Sequence, residues 1–130
     1  MIMEKKLKAV RGAVCTGNTP ESITENVCAM CGRIFSENGI AADDIVSVQF
    51  TVTKGITAMN PAAALRKGSV NIDVSSLALF CASEPDVCGS MENVIRVMVT
   101  AYMPADSEKV NIYMNGAEKL RPDFCGDRNR

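Results

Sequence analysis

Apolar and polar positions alternate most cleanly over "IVSVQFTVT", residues 45–53. Val46, Val48, Phe50 and Val52 alternate with Ser47, Gln49, Thr51 and Thr53, which predicts a strand with one apolar and one polar face. "LKAVRGAV" predicts a first strand that ends at Gly12 or shortly after. In "NTPESITENVCAMCGRIFSENG", Ile23, Val27, Met30 and Ile34 recur at spacings of four, three and four, one face of a helix. Thr19 is its N-cap, Pro20 its first residue and Asn38-Gly39 its stop. "NPAAALRKG" predicts a short helix capped by Asn60, with Pro61 first. "SSLALFCAS" reads as a strand running into the turn-rich "EPDVCGS". "NVIRVMVTAYM" is apolar on both faces, which predicts a central, buried strand. "KVNIYM" is a further strand, "NG" a hairpin-type signal and "AEKLRPDF" an extended tail.

The order is strand, long helix, strand, short helix, strand, strand, strand. It predicts one mixed α/β (α+β) domain over residues 1–130, with 117–130 as an extended C-terminal tail. Two helices are too few to cover both faces of the sheet. A bare sheet face usually meets another subunit, so a homo-oligomer is expected. Composition adds exclusions: a net charge of -1 lacks the basic excess of a nucleic-acid binder. No apolar run is long enough to span a bilayer, and "MIMEKKLKAV" has no following signal-type apolar core, so no membrane partner and a cytoplasmic location are expected.

The chain has no histidine. That excludes Ser-His-Asp and Cys-His catalysis and removes the commonest zinc ligand. The six cysteines lie mostly within periodic segments and read as reduced thiols that pack as small hydrophobes. Cys28-x-x-Cys31 sits on a helix face without a second pair, whereas a structural zinc needs four ligands. Core packing is the preferred reading, and neither metal nor cofactor is expected.

The arginines carry more information. Arg96 interrupts an apolar strand, where a guanidinium is costly unless an anion meets it. Arg11 lies inside the first strand, Arg66 ends the short helix and Arg121 precedes Pro122. Pairing with a carboxylate or reaching solvent is the ordinary reading for Arg66 and Arg121. Strand interiors give Arg11 and Arg96 less room to reach water. Several convergent arginines suit a small dianion, since each binds a carboxylate through two parallel N–H bonds. Glu84 ends "LALFCASE", and Tyr113 points opposite to Ile112 and Met114.

Taken together, "AVRGAV", "FCASEPDVCGSMENVIRVMVT", "VNIY" and "LRPDF" resemble the AroH-class (Bacillus-type) chorismate mutases in order and approximate separation. The resemblance covers nearly the whole chain. It implies a homotrimer assembled as a pseudo-α/β-barrel, with active sites in clefts between subunits. The implied reaction is the pericyclic (Claisen) rearrangement of chorismate to prephenate, toward phenylalanine and tyrosine, without a cofactor. By position, Arg11 and Tyr113 would hold substrate carboxylates and Arg96 would face the ether oxygen of the breaking bond. Glu84 would accept from the ring hydroxyl with Cys81 alongside, and Arg66 would add positive charge at the mouth. Leu120 and Arg121 would belong to a tail that closes over the site. Three departures from the family pattern would reshape one cleft wall: Asn60 where the family usually has an aromatic, Ala63 for a basic residue, and Phe80 where smaller or polar residues are common. Two rival readings remain: a non-catalytic trimeric binder of a small carboxylate metabolite, and an imine deaminase of related architecture, whose signatures are not visible.

Overall fold

The structure is a computed structural model that describes residues 4–122. Positions 123–130 of the expected tail, Cys125 among them, lie outside the described residues. Five strands form one sheet: β1 (Lys5–Cys15), β2 (Ile45–Val52), β3 (Leu79–Ser83), β4 (Val94–Pro104) and β5 (Ile112–Met114). Helix α1 spans Pro20–Glu37 and α2 spans Pro61–Lys67. The strand order is β3-β2-β4-β1-β5. The three inner strands are antiparallel, while β3 and β5 add in parallel at the edges.

Helix α1 begins where Thr19 accepts a hydrogen bond from the Ser22 amide at 3.1 Å, with Pro20 at a position that needs no donor. Ile23, Val27, Met30 and Ile34 are all fully buried against the sheet. Each such side chain contributes roughly 1.5–3 kcal/mol by leaving water. Asn38 closes the helix and does a second task. Its Nδ2 donates to the Ile34 and Val110 carbonyls, both at 2.9 Å, and its Oδ1 accepts from the Val110 amide at 2.7 Å. The helix end thereby fixes the segment that leads into β5.

The covered face holds Val10 and Val14 of β1, Val48 and Phe50 of β2, and Ile95, Val97 and Val99 of β4. Gly12 lies between them. A Cβ there would stand 2.9 Å from Ile34 Cδ1 and 3.0 Å from the Ile112 carbonyl oxygen, so only glycine lets α1 and β5 approach this closely.

The opposite face is bare. Strand β4 is central, as its composition predicts, but it is not buried on both sides. Val94, Ile95, Val97, Val99, Ala101 and Met103 are buried, whereas Arg96, Met98 and Tyr102 are exposed in the single chain. Leu7 and Tyr102, paired across β1 and β4, are 54% and 47% exposed. Other boundaries also differ from expectation. Val46 faces solvent, because the register with β4 is irregular between Ile45 and Ser47. The strand expected from Ser75 begins only at Leu79. Asp73 first accepts from the Ser75 amide at 3.0 Å and hydroxyl at 2.7 Å, a local turn that competes with the ladder. Asn115 and Gly116 both have positive φ, as a tight turn requires, but they lead into a 3-10 turn over Ala117–Leu120 rather than a hairpin or an extended tail.

Candidate active site

The site is built on the bare face by strand register. Thr51 of β2, Arg96 of β4, Ala13 of β1 and Tyr113 of β5 fall in one row across the sheet. The next row holds Phe80 of β3, Gln49 of β2, Met98 of β4 and Arg11 of β1. Strands lie about 4.8 Å apart, so residues up to a hundred positions distant in sequence become neighbours. A cavity of about 230 Å³ lies on these rows, lined by Arg11, Arg96, Tyr113 and Arg121, with Gln49, Thr51 and Met98 among its walls. Ala13 is the small residue in its row. It is buried in a cluster with Val94 and Ala117, against which Tyr113 and Leu120 also pack. The 3-10 turn is docked there through Ala117, and this brings Arg121 to the cavity.

Glu84 continues the β3 ladder by one residue, its amide donating to the Val52 carbonyl at 2.9 Å. Its Oε2 accepts from Thr51 Oγ1 at 2.6 Å and lies 3.0 Å from Arg96 Nε. Arg96 therefore has an anionic partner within its own chain. The Arg96 side chain is also 44% exposed, so the desolvation expected for a buried strand does not arise. Arg11 is exposed on the same face. The cause is common to both: alternation turns them to the uncovered side of the sheet.

The remaining expected residues are dispersed. Cys81 pairs in register with Phe50 and packs against the core on the helix-bearing face, where burial pushes its thiol pKa up. Expected beside Glu84, it is on the other side of the sheet, because residues three apart in an extended strand point oppositely. Phe80 shares the site's face beside Gln49 but is 62% exposed and outside the cavity lining. Arg66 is exposed in the last turn of α2, away from this cavity. Thr51 and Gln49 are site residues that motif reading passes over. The signal for them is the polar half of the β2 alternation, which marks the bare face. Cys28 and Cys31 are buried in α1, and burial raises both thiol pKa values, in Cys31 with Cys28 adding to the effect. That is the reverse of a reactive pair.

Three guanidinium groups, a phenol and a carboxylate, set on a sheet without a nucleophile and base pair, can bind and polarise an organic anion. Fold and pocket thus define a small α/β protein that presents convergent cations to such a ligand. The chorismate mutase type I family model matches residues 7–124. Chorismate mutase AroH of Bacillus subtilis (strain 168) is 27% identical over 125 residues, covering 95% of this chain and 96% of that protein. The structure of a chorismate mutase from Clostridium thermocellum superposes with a TM-score of 0.74 at 37% identity, over 87% of this chain and 99% of that one. The chain belongs to the chorismate mutase type I family, and so to the isomerases.

Proposed function

We propose that the cavity binds chorismate and rearranges it to prephenate, with the enzyme acting through substrate conformation and fixed charge. The observation that carries this reading is the convergence of Arg11, Arg96, Tyr113 and Arg121 on one cavity, with Glu84 paired to Arg96 at its edge. In the reaction an ether C–O bond breaks and a C–C bond forms within one molecule. No proton is transferred overall and no electron enters, so the chemistry itself needs neither cofactor nor metal. Arg11 and Tyr113 hold the carboxylates and select the compact conformer in which the reacting carbons meet. Arg96 meets the ether oxygen, where negative charge grows as the bond breaks. Such a preorganised donor contributes about 3–4 kcal/mol to the transition state. Glu84 has two tasks: it holds Arg96 in place and accepts from the ring hydroxyl. Leu120 and Arg121 close the site from the docked 3-10 turn.

The same reading makes the protein a homotrimer with sites between subunits. Two observations support it: the uncovered sheet face with Leu7, Met98 and Tyr102, and the position of Arg66 outside its own chain's cavity. A neighbouring copy would supply Arg66 and Phe80 as a second wall. Free thiols on Cys15, Cys28, Cys31, Cys81 and Cys88 fit a cytoplasmic location. Among the described residues, no helix is long and apolar enough to cross a membrane. The test is a spectrophotometric assay with purified protein and chorismate, without added metal or cofactor. Chorismate should disappear as prephenate forms; ligand-induced stabilisation without turnover would instead identify a binder.

A further inference from the structure

We propose that Thr51 is a positioning residue for this site, one that sets the carboxylate of Glu84 and, through it, the guanidinium of Arg96. The inference rests on the reading of the cavity as the mutase site. Two contacts meet on Glu84 Oε2. The Arg96 Nε approach at 3.0 Å is an ion pair, and the directional hydrogen bond at that oxygen comes from Thr51 Oγ1 at 2.6 Å. An ion pair tolerates a range of angles. A short hydroxyl-to-carboxylate bond does not, and it is about twice as strong as a neutral one. Thr51 is itself well placed to act as a fixed donor. It lies within an inner strand, paired in register with Arg96 on one side and Ala82 on the other, and β-branching restricts its χ1.

The consequence is a division of the carboxylate. Both contacts meet on Oε2. Oε1 is then the oxygen that accepts from the substrate's ring hydroxyl. If Thr51 did not hold Oε2, the carboxylate could rotate and offer both oxygens to Arg96 as a bidentate pair. That arrangement would satisfy the guanidinium with a protein anion and draw it away from the ether oxygen. Thr51 thereby keeps Arg96 paired strongly enough to be ordered but not fully occupied. Its effect should be on the bond-breaking step more than on substrate capture, since Arg11 and Tyr113 carry the carboxylates.

The test compares Thr51→Val, which keeps the shape and removes the hydroxyl, with Thr51→Ser, which keeps the hydroxyl. Thr51→Val should lower kcat roughly tenfold with KM changed by less than about twofold, and Thr51→Ser should restore most of the loss. In a Glu84→Ala background Thr51→Val should have no further effect, which a merely structural role in β2 would not produce. A crystal structure of unliganded Thr51→Val should show the Glu84 carboxylate rotated from its wild-type position. Unchanged kcat, equal losses in both backgrounds, or an unmoved carboxylate would each overturn the assignment. Wild-type protein inert toward chorismate would defeat the mutase reading instead, while the two crystal structures still judge the Thr51 contact.

Discussion

On the proposed mechanism, Arg96 is both a structural and a chemical element. Its side chain is about half exposed and its ion pair with Glu84 is not deeply buried, so the pair adds at most about 1 kcal/mol to stability. Its contribution lies in where the charge is held. Arg96→Ala should therefore lower kcat by about 10² to 10³ while the melting temperature stays close to that of the wild type. Arg96→Lys should recover little, because an ammonium on a flexible stem cannot reproduce the planar fork. Single-turnover measurements with both variants, alongside thermal melts, would check this. Near-normal turnover in the alanine variant would remove Arg96 from the proposed mechanism.

At the scale of elements, β5 is the weak member of the sheet. It has three residues, pairs only with β1 among the described strands, and carries Tyr113. Its position depends on Gly12 beneath it and on the Asn38 clamp at its entry. Gly12→Ala would push a methyl group against Ile34 and the Ile112 carbonyl, at a cost of about 1–3 kcal/mol. Chemical denaturation should register that loss, and KM should rise as Tyr113 shifts; an unchanged KM would mean that β5 adapts elsewhere. The strands and helices were largely legible from periodicity and capping: α1 and α2 start at the residues that Thr19-Pro20 and Asn60-Pro61 mark. The site was legible by halves. Motifs pointed to Arg11, Glu84, Arg96 and Tyr113, but the contact between Thr51 and Glu84 joins residues 33 apart through the β2–β3 register. Register of that kind has no local signature. Cys81 shows the converse: adjacency in a motif suggested adjacency in space, and strand alternation forbids it.

At the scale of the whole molecule, the half-covered sheet and the buried thiols make separate predictions. Tyr102 and Leu7 face each other on the uncovered side, so Tyr102→Glu would place a charge inside the proposed subunit contact. Sedimentation should show a trimer for the wild type and smaller, inactive species for the variant; a trimeric, active Tyr102→Glu would locate the contact elsewhere. Burial raises the pKa of Cys31, Cys28, Cys81 and Cys15 above the ordinary thiol value of 9.0. The unfolded chain therefore loses these protons first as pH rises, so stability is intact below that value and falls above it. Melting temperatures should drop from about pH 9 upward, and Cys31→Ala should flatten the decline although it lowers stability at neutral pH.

The rows that join Thr51, Arg96, Ala13 and Tyr113 have a consequence for how this chain can change in length. Each strand acts as a ruler with a step of one residue, and each step turns a side chain to the opposite face. Inserting one residue between Val94 and Arg96 would send the guanidinium toward the packed core and bring Ile95 or Val97 to the ligand. The same insertion in the connection over residues 69–78 would leave every row intact. Lengths of connections are thus free to drift, whereas the count of residues along β1, β2 and β4 is fixed by the proposed site it spaces.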